Sequence, residues 1–297
     1  MIQYKKHSTI EKTKQMKLIF IHGREQETFE ADYLKQLWTD TLIKGLKEND
    51  LTLPDNVTIE FPYFGKLLKT MADNPESIPL EKGTTRGFKS SISENAFMYE
   101  YLNDTLVRAD PKHKKIATRG LLNNETIQKL LKKIDDIGFL GEFSLKKMTK
   151  DVFLYLTHSG IKKRINECVL ATMDTEPCVV VGHSLGSIVS YDVLKSNPKL
   201  QVNKLITIGS PLGIGSVRKN LPQPIGMPSC VKNGWFNAYD DRDFVALNPL
   251  DIPYFSIDPA IVNKKDVKNN TDNRHGIIGY LNDAVVAKTI HEALVSK

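Results

Sequence analysis

Cysteine is scarce in this chain, with three residues among 297 (Cys168, Cys178 and Cys230). The odd count and the lack of paired Cys/His spacing argue against a disulfide framework and against a zinc site. Cys178 opens an apolar run and reads as a buried thiol, so the expected setting is reduced and cytoplasmic. Long hydrophobic runs are lacking as well. No stretch approaches the roughly 20 apolar residues that a membrane-spanning helix needs. The segment before Leu18 is polar, and Leu18 to Ile21 is too short for the core of a secretory signal. Any action on lipid is therefore expected from the aqueous side. The sequence pI near 9.0 comes without a zinc-finger, RRM or helix-turn-helix signature, which argues against nucleic acid as partner. No internal repeat and no low-complexity tract is present.

What remains is ordinary globular composition, 40% hydrophobic and 26% charged, in a chain long enough for one large α/β core. The net charge of +6 sits in one stretch. From Arg108 to Lys150 there are eleven Lys/Arg against five Asp/Glu, so the rest of the chain is close to neutral. Such a basic face is either plain solvated surface or a surface that could meet anionic lipid or an acidic substrate.

Hydrophobic patterning predicts strands at Met16–Ile21, Asn56–Phe61, Cys178–Val181, Lys204–Ile208 and Trp235–Tyr239. Between them, Leu34, Leu37, Trp38, Leu42 and Leu46 share one face of a helix from Ala31 to about Asn49. Further helices are expected at Ser187–Lys195 and from about Leu281 to Leu294. Strands alternating with helices imply a mostly parallel sheet covered on both sides, a three-layer αβα arrangement. The rhythm breaks from Phe64 to about Glu176, where helical patterns (Glu94–Leu106, Glu125–Ile134, Val152–Met173) run without a strand. The reading is one domain, 1–297, with a helical cap inserted at about 64–176.

The strongest chemical signal is Gly182-His183-Ser184-Leu185-Gly186. An apolar strand enters it and an apolar helix leaves it, the context a nucleophile elbow needs. The serine must stand on a tight strand-to-helix turn, and side chains two residues away on either side would collide there. The following helix points its positive end at the reacting centre. An oxyanion hole needs two backbone N–H groups. Leu185 N–H is the first by position, and in Ile19-Phe20-Ile21-His22-Gly23-Arg24 the turn at Gly23 can aim Arg24 N–H inward. The Arg24 side chain reads as surface.

A serine hydroxyl also needs a base, which in such chains follows the acid. His275, in the polar loop Asn270–Gly276, is the preferred base; His291 lies within the final helix and reads as structural. His183 is expected to pack beside the serine, and His7, His113 and His158 lack supporting context. The acid should close the strand at Trp235–Tyr239, where Asp240, Asp241 and Asp243 crowd together. Asp243 is preferred because Phe244-Val245 turns apolar residues back inward after it.

With these segments in view, the chain resembles the α/β-hydrolase lipases and esterases, and within them a loosely characterised bacterial group. The resemblance rests on IFIHGRE, GHSLGS, LITIGSPLG, WFNAYDDRDFVAL and RHGIIGYL, which touch every core element and match the cap weakly. It implies Ser184 as nucleophile, Asp243 as acid, His275 as base, Arg24 and Leu185 as oxyanion donors, and ester hydrolysis without metal or organic cofactor. The chain departs from such enzymes at Phe244, where proline is common, so Asp240 and Asp241 stay as alternatives. An amide or thioester bond would use the same machinery, and a binding protein on an inactive scaffold is the reading from another class. Phe97, Tyr99, Tyr101, Leu102, Phe139, Leu140 and Phe143 either line an acyl pocket or form the insertion's own core.

Overall fold

The computed structural model describes residues 15–24, 27–79, 93–110, 112, 124–136, 142–174, 176–272 and 274–296. In chain order the elements are β1 (Met16–Ile21), α1 (Ala31–Lys47), β2 (Val57–Glu60), α2 (Gly65–Asp73), α3 (Glu94–Ala109), α4 (Asn124–Asp136), α5 (Glu142–Thr157) and α6 (Ser159–Leu170). They continue with β3 (Cys178–His183), α7 (Leu185–Ser196), β4 (Val202–Ile208), α8 (Gly215–Lys219), β5 (Trp235–Ala238), β6 (Val262–Lys264), α9 (Ile277–Leu281) and α10 (Ala284–Val295).

The six strands form one sheet in the order β2-β1-β3-β4-β5-β6, and every neighbouring pair is parallel. Strand alternation sends side chains to two separate cores. Leu18, Phe20, Val179, Val181, Ile206 and Ile208 pack with α1, α9 and α10 on one face. Ile19, Ile21, Val180, Leu205 and Trp235 pack with α2 to α8 on the other. Both faces of each central strand are therefore buried, which is why these strands read as continuous apolar runs. The chain is α/β, with a parallel sheet flanked by helices, an arrangement compatible with three αβα layers.

The sheet order contains a reversal that positions the site. From β1 the chain passes to one side, to β2; from β3 it proceeds to the other, to β4 and onward. The loops leaving β1 and β3 diverge, and the crevice between them is where open α/β sheets bind ligands.

Several elements differ from the sequence expectation. The helix expected at Val152–Met173 is two helices, because His158 leaves helical geometry (φ −99°, ψ 104°) and its ring accepts from Ile161 N–H as a cap. The final helix, expected from about Leu281, starts at Ala284, where Asp283 accepts from Val285 and Val286 N–H. The helices α2 and α8 and the strand β6 lie outside the elements expected from sequence; β6 is three residues long, carries no periodic signal and completes the sheet edge beside β5. Among the described residues no helix is long and apolar enough to cross a membrane. Of the basic stretch, Lys112, Lys129, Lys132, Lys133 and Lys146 are exposed, while Lys114, Lys115 and Arg119 lie outside the described residues.

Candidate active site

Ser184 sits between β3 and α7 at φ 56° and ψ −126°. A serine at positive φ is uncommon and strained, and such strain concentrates where a side chain must be presented. The turn is held by Ser184 N–H donating to Ile208 O at 3.2 Å and by Ser187, whose hydroxyl donates to Ser184 O at 2.6 Å. The flanking glycines are required by contact. A methyl group on Gly186 would overlap Ile21 O and lie 2.6 Å from His22 O, and one on Gly182 would lie 2.8 Å from Gly186 O. α7 can thus approach β1 closely and start directly beneath the serine.

His275 stands beside this turn. Its Nδ1–H donates to Asp243 Oδ2 at 2.7 Å, and its carbonyl accepts from His183 Nε2–H at 2.8 Å, with the two rings 4.7 Å apart. Beneath the imidazole lies Gly209, at φ 56°, where a side chain would come within 3.1 Å of His275 Cε1. Asp243 is fully buried and accepts three hydrogen bonds: from His275, from Val245 N–H at 2.9 Å, and from the Tyr280 hydroxyl at 2.5 Å.

Its neighbours in the acidic turn do other work. Asp240, also fully buried, accepts from Arg242 N–H at 2.8 Å and from Asn269 N–H at 2.9 Å, tying the β5 turn to the loop that carries His275. Asp241 is largely exposed and lies 3.7 Å from Arg242. Of the three aspartates, Asp243 is the one bonded to His275.

The loop after β1 meets the serine from the far side. A methyl group on Gly23 would lie 2.7 Å from Ser184 Cβ, so Arg24 follows within a residue of Ser184. Leu185 N–H is the first of α7, one of the helix-end donors without a carbonyl a turn behind. The Arg24 side chain, expected at the surface, is mostly buried and pairs with Asp151 of α5. Burial raises the Asp151 pKa against the opposing pull of Arg24. A cleft of about 90 Å³ opens here, lined among others by Gly23, Arg24, Leu68, Lys69 and Asp151.

The remaining histidines fall into structural places. His22 is buried, donates through Nδ1–H to Gly23 O at 2.6 Å, accepts from Phe64 N–H at 3.0 Å, and stacks on Phe64. Burial lowers its pKa to about 4, so the ring is neutral. His183 is also pushed well below its usual value, first by burial and then by His275. His291 lies on α10; His7 and His113 lie outside the described residues.

Sequence reasoning missed Tyr280, Asn269 and the hydrogen bond from His183 to His275. Tyr280 also accepts from Asp240 N–H at 3.2 Å, and Asn269 donates to Gly276 O at 2.8 Å. Tyr280 could have been suspected from RHGIIGYL, where it falls five residues after His275; Asn269 carries no such signal. Phe97, Tyr101 and Leu102 are buried in the core on the α2-to-α8 face, whereas Phe139, Leu140 and the Phe143 side chain lie outside what the structure describes. Among the described residues no group of three or more His, Cys, Asp or Glu is placed to hold a metal ion. Comparison of the chain with protein-family models and with curated proteins finds no match.

Proposed function

We propose that this protein is a serine hydrolase of the α/β-hydrolase type that cleaves carboxylic esters through an acyl-enzyme. The observation that carries the proposal is the Asp243–His275 pair at 2.7 Å beside a serine held at positive φ. The sheet order supports it, because the nucleophile and the β1 loop meet where the strand order reverses.

The chemistry follows from the bonds each residue makes. Asp243 accepts the Nδ1 proton and so fixes the tautomer, which leaves Nε2 as the basic nitrogen. Ser184 Oγ attacks the ester carbon as His275 takes its proton. The carbonyl oxygen gains charge and is received by the N–H groups of Leu185 and Arg24, at the positive end of α7. Collapse breaks the bond to the alcohol, which leaves with the proton from His275. Water then repeats the sequence, releases the acid and restores the serine. The helices between β2 and β3 act as the cap over this site, and the basic stretch within them is the surface that would face an anionic substrate or lipid. No metal or organic cofactor takes part in the proposed reaction.

The test is hydrolysis of 4-nitrophenyl acyl esters of graded chain length, beside the matching anilides and thioesters. The ester proposal expects turnover of esters well above the anilides and loss of that turnover in Ser184→Ala. Ester hydrolysis that persists in Ser184→Ala would overturn it.

A further inference from the structure

Tyr101 lies on α3 and is fully buried. Its ring packs 6.3 Å from Phe97, which in turn lies 5.5 Å from Phe153 of α5. The same helix face continues at Asp104 and Arg108, three and seven residues on. Asp104 Oδ2 accepts from Gly215 N–H at 3.2 Å, and Arg108 Nε donates to Leu247 O at 3.2 Å. Gly215 belongs to the connection after β4, and Leu247 to the connection after β5 that also holds Asp243. This stripe of α3 therefore lies over the acid side of the site.

The Tyr101 hydroxyl has no hydrogen-bond partner among the described residues. Its pKa is raised first by burial and then by the negative charge of Asp243, so the group stays protonated and can act as a donor. A phenylalanine would fill the same space without leaving a buried hydroxyl unsatisfied, which makes the orphan group hard to explain as packing. The proposed oxyanion groups, Leu185 and Arg24 N–H, are themselves donors and cannot accept from it.

Resting on the ester-hydrolase reading above, we infer that the Tyr101 hydroxyl donates a hydrogen bond to a second oxygen acceptor on the substrate, apart from the scissile carbonyl. The preferred substrate is then an oxygenated ester, with an ether, hydroxyl or further carbonyl oxygen, and not one built of plain hydrocarbon. A site with a buried donor discriminates against an analogue that leaves the donor unpaired.

The experiment uses pairs of soluble esters that differ by one CH₂→O replacement, moved in turn along the acyl chain and along the alcohol. Rates are followed by acid release for the wild-type protein and for Tyr101→Phe. At one position the oxygen should raise wild-type kcat/KM by about tenfold or more. Tyr101→Phe should abolish that gain, bringing kcat/KM on the oxygenated ester down to that on its plain partner, and should melt no lower. A gain that survives in Tyr101→Phe overturns the inference. So does a wild-type protein that hydrolyses plain esters and gains from no oxygen, or a variant that loses plain-ester activity and stability together. Failure of the wild-type protein to react at Ser184 with a fluorophosphonate would instead overturn the reading on which the inference rests.

Discussion

Asp243 and Asp240 are both fully buried carboxylates three residues apart, and their partners separate them. Asp243 holds the imidazole, the Tyr280 hydroxyl and Val245 N–H, whereas Asp240 holds backbone and arginine groups. Asp243→Asn should lower turnover by on the order of 10⁴, because an amide no longer selects the Nδ1–H tautomer. Asp240→Asn should act mainly on stability, by loosening the Asn269 connection, and cost far less turnover. Steady-state kinetics on the two variants checks this, and the reverse ranking would move the acid to Asp240. Sequence reasoning reached Ser184, His275 and Asp243 because each sits next to a strand end or polar loop with its own local signature. It could not reach Tyr280 or Asn269, whose partners are fixed only by folding.

A pH prediction belongs to His22. Its pKa is about 4 in the folded chain against an ordinary 6.5. Between those values the unfolded chain binds the proton and the folded one does not, so this residue makes stability rise with pH across that window. The full gap corresponds to on the order of 3 kcal/mol. Urea unfolding at pH 4.5 and pH 7 should therefore show a smaller acid loss in His22→Asn than in the wild-type protein. Equal losses in both would contradict a neutral, buried His22.

At the scale of elements, a buried ion pair joins α5 to the loop after β1. Arg24 follows β1, Asp151 lies on α5, and both side chains are largely removed from solvent. Removing Arg24 takes this cation from the largely buried Asp151 carboxylate, and breaking a buried pair in this way typically costs about 3–5 kcal/mol. Arg24→Ala should therefore destabilise strongly, and adding Asp151→Ala should cost little more. Additive losses in a thermal or urea double-mutant cycle would show that the pair is not coupled. The long, periodic elements were legible in sequence: β1, α1, β3, α7 and β4 all fall where their apolar spacing places them. The break at His158 was not, because apolar periodicity runs through that position and only the capping hydrogen bond interrupts the helix. The Arg24–Asp151 pair spans 127 residues of sequence, and nothing local in either segment announces it.

At the scale of the whole molecule, the proposed site exists only in the folded chain. Ser184 comes from the turn after β3, the Gly23–Arg24 loop from β1, Asp243 from the turn after β5, and His275 from the loop before α9. Parallel strands bring these four loops to one end of the sheet, and the strand order sets them side by side. If this assembly activates Ser184 as a nucleophile, a fluorophosphonate should react there only in the folded protein. Intact-mass analysis of native protein, urea-unfolded protein and a folded Ser184→Ala variant should show a single adduct that maps to Ser184 in the native protein and none in the other two. Undiminished labelling of Ser184→Ala, or a native protein that takes up no label, would contradict that activation.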